Sequence, residues 1–583
     1  MYSQKWQTSK RQYGVTIERD VRVPVGKGIS IMADIYRPDA PGKFPVLLTM
    51  SPYKRSEQGE EMVPQGFPGN QFNRGMLEVG DFNFYVRRGY VMVIANMRGT
   101  HGSEGEFGNL NPDHDSIQDI ADAIEWLAAR PWTNGRVAMN GVSYFSVVQK
   151  RTAVLKPPSL KAIFAMYGWS DGYRDGYYRG GILAHGFTTY WLQCYAGVYK
   201  FSNRLKASMG EAAYFDAIKR AMGDDELMSV PVLANALRNP DAGVNSMIVE
   251  FLLHPLYDEY HAARAVEFSK SDLPGYFGAD WGNFGLHLAG DVRAYGEWKG
   301  PRKLTIGPPI YLDRPLYQYD YESLRFFDHW LKDIDTGLMD EAPVNVFIVG
   351  TGEWKSAKEW PIPGTRWTPF YLHAKGLLSE HEHWPNEGFT TYEDSPFSHG
   401  GARFATPAVV EATEICGPIA LKLFGSTTDV DVLWYVSLWL VSAEARDGNA
   451  VGKETLLTRG WLRGSQRALD TERSKPWQPV HLHTKREPLV PDQVYEFDVE
   501  LRPYGILLKP GESLAVRVRC ADDDVAETFL DRIAQGGLTR PRAAAVSVHH
   551  SAKYPSHLVL PVTRGNRIGT FISGGKLPPL VKG

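Results

Sequence analysis

The sequence has few cysteines, no long apolar run and no excess of positive charge. Its three cysteines, Cys194, Cys416 and Cys520, lie far apart and lack metal-ligand spacing, so we expect no disulfide framework and a reducing, cytoplasmic location. No apolar run approaches the roughly 20 residues that cross a bilayer, and residues 1–11 lack the apolar core of a signal peptide. A formal net charge of -3 argues against the concentrated basic surface that nucleic acids and anionic membranes require.

The chain is long and has the composition of an ordinary globular protein. A chain of 583 residues exceeds what one hydrophobic core supports, so we expect two or three domains. Hydrophobic residues make up 43% and charged residues 22%, as in typical folded proteins. The 16 tryptophans and 29 tyrosines fit either core packing or the walls of an apolar pocket.

The segment Gly141-Val142-Ser143 has the pattern of a nucleophile elbow. It follows the short apolar run Arg136–Met139 and precedes Ser146–Val154, which can continue as a helix. A strand that turns sharply into a helix needs glycine at the bend and leaves the serine hydroxyl exposed at the edge of the sheet. The usual second glycine is replaced by Phe145, and Gly-x-Ser is also a common tripeptide without a catalytic role. Ser143 is the predicted nucleophile.

Strands and helices alternate through the first 340 residues. Phe44–Met50 and Tyr90–Ala95 are apolar runs typical of strands covered on both faces, and Ile117–Ala129 has apolar residues at helical spacing. Further strands are predicted at Lys161–Met166, Gly275–Ala279 and Lys303–Gly307. This alternation indicates a mostly parallel sheet. The Gly- and Met-rich loop Ser56–Asp81 is too long for a simple connection and is a candidate wall of a site.

Two regions depart from this alternation. Residues 168–268 are helical and aromatic-rich, which predicts a cap inserted over the sheet. Beyond residue 340, short β-rich runs beginning with Val344–Gly350 are separated by Gly and Pro turns and predict a β-sandwich. The predicted divisions are 1–167 and 269–340 for the α/β domain, 168–268 for the cap and 341–583 for the sandwich.

In addition, the sequence resembles the cocaine-esterase and X-Pro dipeptidyl-peptidase family of α/β-hydrolases over nearly its whole length. The markers of the resemblance, in their shared order, are Ala33–Pro38, Ser51–Tyr53, Arg98–Gly105, Trp132–Val137, Gly141–Tyr144, Leu324–Lys332 and Gly460–Ser465. The resemblance implies an α/β-hydrolase domain, an inserted helical cap and a C-terminal jelly-roll-like sandwich.

The same resemblance implies acyl transfer by a serine nucleophile, a histidine base, an orienting acid and an oxyanion hole. Ser143 aligns with the family nucleophile. Tyr53 aligns with the tyrosine whose hydroxyl completes the oxyanion hole, beside the backbone N–H of Tyr144. A buried tyrosine at a strand end is the alternative interpretation of Tyr53.

The sequence departs from the family at the acid and the histidine. If Trp281 is matched to the tryptophan of the relatives, Asn283 occupies the place of the acid and Asp280 is the nearest carboxylate. The histidine that normally follows a Gly-Pro pair is absent, and Tyr311 stands at its position. A neutral tyrosine is a poor general base at neutral pH, because its ordinary pKa is about 10.

Three explanations of this departure stay open. His287 lies four residues beyond Asn283, so on a helix that starts there the two side chains share one face, one turn apart. His287 could then supply the imidazole, with Asp280 or another carboxylate as its orienting acid. Alternatively, Tyr311 acts as a proton donor or a substrate hydrogen-bond partner in chemistry other than hydrolysis, in which His287 also handles protons. A histidine packed in a helix under the cap is the other interpretation of His287. As a third possibility, catalysis is lost while the pocket survives.

Residues of the cap and of the acid turn are candidates for substrate binding: Trp169, Asp171, Tyr173 and Trp281. An ordinary salt-bridge network explains Asp171 equally well. The pairs His381/His383 and His481/His483 suggest a metal, but no third ligand is near them in sequence, and such pairs on strands are more often surface residues. We therefore expect neither a metal nor a cofactor.

The sequence thus predicts a serine hydrolase acting on a carboxylic ester or amide. The aromatic-rich cap favours a small-molecule substrate with a bulky apolar or aromatic acyl group. A lyase or cyclase reaction in the same pocket is the first alternative, and a catalytically silent binding protein is the second. A homo-oligomer is compatible with the sequence.

Overall fold

The architecture described below is that of a computed structural model. It describes residues 5–59, 78–194, 197, 199–282, 285–309, 319–382, 388–442, 453–523 and 536–565. Two of the predicted site residues, Asn283 and Tyr311, lie outside these ranges, as do His383 and residues 60–77 of the long Gly- and Met-rich loop.

Twelve strands occur in the part of the chain up to residue 357 that the structure describes. They are β1 Val15–Val25, β2 Ile29–Pro38, β3 Phe44–Ser51, β4 Val91–Asn96, β5 Thr133–Val142, β6 Leu160–Met166, β7 Tyr178–Arg179, β8 Ile182–Leu183, β9 Gly275–Asp280, β10 Arg302–Gly307, β11 Val344–Ile348 and β12 Glu353–Ala357. Ten of them form one sheet, in the order β1-β2-β4-β3-β5-β6-β9-β10-β11-β12. Strands β4 to β11 of this order run parallel, and the outer pairings are antiparallel.

Helices cover this sheet and build the cap. They are α1 Phe82–Val86, α2 His114–Ala128, α3 Tyr144–Ala153, α4 His185–Cys194, α5 Arg204–Met209, α6 Glu211–Ala221, α7 Asp225–Ser229, α8 Pro231–Arg238, α9 Asn245–Leu252, α10 Glu259–Ala262, α11 Leu288–Glu297 and α12 Tyr319–Lys332. Helices α2, α3, α11 and α12 pack on the sheet, and α4 to α10 form the cap between β6 and β9. The cap also contains the short antiparallel ladder of β7 and β8, which the sequence did not predict.

The sheet is buried because its central strands are apolar on both faces. Every residue of β4 is buried, and the same holds for β3 after its first residue. Parallel strands covered by helices on both sides require such runs. Asp113 is the N-cap residue of α2. Its carboxylate accepts a hydrogen bond from the Ser116 backbone N–H at 2.9 Å, which satisfies one of the otherwise unpaired amides of the first turn.

The C-terminal part contains the second large sheet. Its strands are β13 Arg366–His373, β14 Leu377–Ser379, β15 Phe389–Ser395, β16 Ser398–His399, β17 Gly401–Ala405, β18 Thr413–Thr427, β19 Leu433–Val441, β20 Glu454–Arg463, β21 Tyr495–Leu508, β22 Ser513–Arg519, β23 Ala544–His549 and β24 His557–Arg564. Strand β24 pairs with both β13 and β18, so the sheet folds back on itself. The result is the β-sandwich that the sequence predicts beyond the cap and the α/β domain.

One strand lies in a different sheet from the one predicted. The division at residue 340 assigned Val344–Gly350 to the sandwich, whereas β11 pairs in parallel with β10 and continues the first sheet. A short apolar strand has the same pattern in either sheet, and only the pairing partner distinguishes them. The fold is an α/β-hydrolase domain with an inserted helical cap, followed by a β-sandwich, as predicted.

Candidate active site

Ser143 lies at a sharp turn between strand β5 and helix α3. Its backbone has φ 58° and ψ -122°, a region that residues other than glycine seldom occupy. Gly141 has φ 121°, and a Cβ atom added there would lie 2.6 Å from the Cβ of Phe145, so only glycine fits. The Ser143 backbone N–H donates to the carbonyl of Met166 at 3.2 Å, which fixes the turn to strand β6. The nucleophile elbow predicted from the sequence has this geometry, although Phe145 replaces the second glycine.

The Tyr144 backbone N–H is the first amide of helix α3. The first N–H groups of a helix have no intrahelical acceptor, and the helix dipole adds positive charge at that end. The Tyr144 ring is buried and stacks on Trp191 of the cap, with the ring centroids 5.9 Å apart. This packing turns the side chain into the cap and leaves the backbone amide as the group suited to a developing negative charge.

Tyr53 lies two residues beyond the end of β3, the strand adjacent to β5. Its ring meets the rings of Tyr144 and Phe145 edge-on, at centroid distances of 6.1 and 6.0 Å. Its hydroxyl accepts a hydrogen bond from the Trp191 indole N–H at 3.2 Å. The Asn96 side-chain amide donates a hydrogen bond to the Tyr53 backbone carbonyl at 2.6 Å. The structure therefore places the Tyr53 ring beside the elbow, and its role in an oxyanion hole stays a prediction.

Asp280 ends strand β9 at the same edge of the sheet as Ser143. In the register of the sheet, Val142 pairs with Met166 and Met166 pairs with Gly278. The two residues are therefore separated by one intervening strand, and Asp280 is fully buried.

His287 lies beside this edge, but not on a helix with Asn283. Helix α11 begins at Leu288, and His287 is the residue that precedes it, so the expectation of one helical turn between positions 283 and 287 is wrong. His287 is buried, its ring lies 6.2 Å from the Tyr167 ring, and burial together with the charge of Lys150 lowers its pKa to about 3.

A buried ion pair connects the elbow helix to helix α11. The Lys150 ammonium group lies 2.5 Å from the Asp291 carboxylate, and both side chains are fully buried. The Gly168 backbone N–H donates to the other Asp291 oxygen at 3.1 Å. The pair therefore fixes α3, the end of β6 and the start of α11 relative to one another.

Glu78 is a candidate site residue that the sequence did not single out. The Ser143 hydroxyl donates a hydrogen bond to the Glu78 carboxyl group, and burial raises the pKa of that carboxyl from 4.5 to about 8. Glu78 belongs to the Ser56–Asp81 loop that the sequence proposed as a wall of the site. An acid at the end of a long loop between two buried strands was the available signal, but only the tertiary fold brings it to Ser143.

The predicted substrate-binding residues lie in packed surroundings. Trp169 packs on Tyr177, and Asp171 begins a short π-helical turn and pairs with Arg174 at 3.3 Å. The Tyr173 hydroxyl donates to the Pro255 carbonyl at 3.1 Å. The Trp281 indole N–H donates to the carbonyl of Phe347 in β11 at 2.6 Å. The cap salt bridge weighed from the sequence for Asp171 is present, and substrate contact by these four residues stays a prediction.

A cleft of about 310 Å³ separates the cap and α/β domain from the sandwich. Arginines from both sides line it, together with His481 and His483, and it is lined by none of the predicted catalytic residues that the structure describes. These two histidines are buried, with rings 5.5 Å apart, so the expectation of surface histidines is wrong for this pair. Within the described ranges, no group of three metal-ligand side chains occurs. In the same ranges, no helix is long and apolar enough to cross a membrane.

Comparisons with known proteins agree with this architecture. The family model of the X-Pro dipeptidyl-peptidase (S15 family) matches residues 27–310, and that of the X-Pro dipeptidyl-peptidase C-terminal non-catalytic domain matches residues 336–559. The chain is 25% identical to a cocaine esterase of Rhodococcus sp. (strain MB1 Bresler), over 94% of this chain and 99% of that protein. It is 22% identical to a putative Xaa-Pro dipeptidyl-peptidase of Bacillus anthracis, over 86% of this chain and 81% of that protein.

A solved structure shows the same fold. A CocE/NonD family hydrolase from Staphylococcus aureus superposes with a TM-score of 0.76 at 24% identity, covering 94% of each chain.

Proposed function

The chain belongs to the X-Pro dipeptidyl-peptidase (S15) family, and on that premise we propose that it is a serine hydrolase that transfers an acyl group from a carboxylic ester or amide to water through Ser143. The family is hydrolytic, and its curated relatives are named esterases and peptidases. An ester with a bulky apolar or aromatic acyl group is the proposed substrate class.

The elbow geometry of Ser143 is the observation that supports this proposal most. A serine held at φ 58° between a strand and a helix has an unfavourable backbone conformation, of the kind found where function requires it. The turn places the Ser143 hydroxyl at the edge of the sheet, next to the backbone N–H groups at the start of α3. Neither feature is needed for packing alone.

In the proposed reaction, the Ser143 Oγ attacks the carbonyl carbon of the substrate. The carbonyl oxygen gains negative charge, which the Tyr53 hydroxyl and the Tyr144 backbone N–H stabilise as hydrogen-bond donors. Such donors act more strongly on the transition state than on the substrate, because the charge develops during the reaction. His287 with Asp280 is the base and acid pair expected from the sequence.

The aromatic side chains around the elbow support an apolar acyl group. Tyr53, Tyr144, Phe145 and Trp191 pack against one another beside Ser143. Aromatic walls of this kind favour apolar and aromatic groups over charged ones. The arginine-lined cleft at the sandwich is a separate feature and is not part of the proposed acyl site.

The test is covalent labelling with a fluorophosphonate, measured as intact protein mass and followed by hydrolysis of p-nitrophenyl esters. We expect the wild type to gain the mass of one adduct and Ser143→Ala to gain none, with esterase rates lower by roughly 10³ to 10⁶. Ser146→Ala is the matched control, because it removes another buried hydroxyl from the same helix. A wild type that is folded but neither labelled nor active would contradict the proposal.

A further inference from the structure

The carboxyl group of Glu78 is a hydrogen-bond partner of the Ser143 hydroxyl. Glu78 as a whole is half-buried, and its Oε2 atom is buried. A buried carboxyl group is costly unless it is hydrogen-bonded or has a function. The placement of Glu78 beside the predicted nucleophile therefore requires an explanation that the sequence alone did not provide.

Backbone contacts hold Glu78 against the elbow strand. The Val142 backbone N–H, one residue before Ser143, donates to the Glu78 carbonyl at 2.8 Å. The Asn140 side chain donates to the carbonyl of Val79 at 2.9 Å. A Cβ atom at Gly141 would lie 3.2 Å from the Glu78 carbonyl oxygen, so the absence of a side chain there permits the approach. Glu78 is thus fixed by strand β5 itself.

Among the described residues, Glu78 is the titratable group whose side chain contacts the Ser143 hydroxyl. For His287, the base expected from the sequence, the ring contacts the Tyr167 ring, and burial together with the charge of Lys150 lowers its pKa. A general base must lie within hydrogen-bond distance of the proton that it takes. Glu78 meets this requirement in the structure.

We propose that Glu78 is the general base that takes the proton of the Ser143 hydroxyl. The proposal rests on the proposed function, the hydrolysis of an ester or amide through Ser143. Glu78 occupies the role that a histidine has in the family pattern, from a different element of the fold.

The step balances without any further reactant. The Ser143 O–H bond breaks and its proton passes to a Glu78 oxygen, while the Oγ forms a bond to the carbonyl carbon and the carbonyl π electrons move onto oxygen. On collapse, the bond to the leaving group breaks, and that group takes the proton from Glu78. Water then attacks the acyl carbon, gives its proton to Glu78 and displaces Ser143, which regains the proton from Glu78.

The surroundings of Glu78 make it a stronger base than an exposed glutamate. Burial raises its pKa to about 8, and the hydrogen bond from Ser143 opposes this rise; among the described residues no other group acts on it. A carboxylate whose pKa lies near neutral pH accepts a proton more readily than one with a pKa near 4.5, yet is still partly ionised at pH 7. Reactivity should therefore rise with pH, reach half of its maximum near pH 8 and level off above that pH.

The experiment measures the rate of fluorophosphonate labelling of the full chain from pH 6 to pH 9.5. We expect Glu78→Gln to lower the labelling rate roughly 10² to 10⁴-fold and to remove its rise with pH. Glu57→Gln is the matched control, because Glu57 is an exposed acid of the same loop that pairs with Lys54 at 3.8 Å. His287→Gln should lower the rate less than Glu78→Gln does.

Three results would overturn the proposal. The first is labelling of folded Glu78→Gln at the wild-type rate. The second is a greater loss in His287→Gln than in Glu78→Gln, which assigns the base to the histidine. The third is a wild-type rate that is independent of pH from 6 to 9.5, a result that needs no variant to fold. A wild type that is not labelled at any pH contradicts the proposed function itself, whereas the first two results leave it intact.

Discussion

The Tyr53 ring stands edge-on to the Tyr144 ring, with the two centroids 6.1 Å apart. The contact joins the end of β3 to the first residue of helix α3, and in the proposed reaction these two residues supply the hydroxyl donor and the backbone donor of the oxyanion hole. Oxyanion holes use such a pair because the negative charge develops on one oxygen atom.

Tyr53→Phe should lower kcat for ester hydrolysis by roughly 10² to 10³-fold, with a smaller change in KM, because the hydroxyl acts mainly in the transition state. Tyr90→Phe is the control, since Tyr90 is also buried and its hydroxyl donates to Asp328 at 2.7 Å, at the opposite end of the strands. Steady-state kinetics on a p-nitrophenyl ester measure both. Equal losses in the two variants would show that the Tyr53 hydroxyl acts only in packing.

Ser143→Gly should melt at a higher temperature than Ser143→Ala. Both variants lack the nucleophile. Alanine retains the backbone strain of φ 58°, which costs about 1 to 3 kcal/mol of folding free energy, whereas glycine adopts this conformation with little strain. Differential scanning calorimetry measures this difference between two variants that both lack the serine hydroxyl. An alanine variant that melts at the same temperature would mean that the turn relaxes when the hydroxyl is lost.

Glu226→Gln should destabilise the contact between the cap and the sandwich. Glu226 of helix α7 is buried and pairs with Arg463 and Arg540, both from the sandwich. Removing the carboxylate takes one partner from each guanidinium group, and each keeps a second one, Asp431 for Arg463 and Asp429 for Arg540, so the expected loss is about 1 to 3 kcal/mol. Thermal unfolding should therefore shift to lower temperature by several degrees.

The neighbouring residue offers a matched control for that change. Asp225 pairs with Arg542, and their side chains are 52% and 47% exposed. Exposed pairs contribute about 0 to 1 kcal/mol, so Asp225→Asn should leave the melting temperature nearly unchanged. Equal shifts in Glu226→Gln and Asp225→Asn would contradict the burial argument.

Glu78 should also make stability depend on pH. Its pKa is raised from 4.5 to about 8 in the folded chain, chiefly by burial. Between these values the unfolded chain ionises Glu78 while the folded chain keeps the proton, so the free energy of unfolding decreases as pH rises through this window. Glu78→Gln should lose less stability than the wild type between pH 5 and pH 9, in melting curves at fixed ionic strength. A parallel decrease in both proteins would exclude this contribution.

The sequence predicted the order of the elements well because the central strands are apolar on both faces. Runs such as Phe44–Met50 have no other stable environment in a domain of this size. Val344–Ile348 was assigned to the wrong sheet because its pattern contains no information about its partner. His481 and His483 were expected at the surface, and the interface with the cap buries them. That burial depends on domain packing, which local patterns do not report.

The site was predictable only where it is local in sequence. Gly141 and Ser143 lie in one turn, so their spacing determines their geometry. Glu78 reaches Ser143 across 65 positions of the chain, through hydrogen bonds to strand β5 that no periodicity predicts. The sequence instead pointed to a histidine as the base, namely His287, on the expectation that a helix carries it. Helix α11 begins only after it, at Leu288.

Strands β6 and β9 are neighbours in the first sheet but are separated in sequence by the whole cap. During synthesis, the edge that presents Ser143 emerges from the ribosome long before the strands that flank it on the far side. At about 5 to 20 residues per second, translation from β6 to β9 takes on the order of 5 to 25 s. For that time the exposed side of β6 has no partner strand, and the nascent chain needs either the cap or a chaperone to cover it.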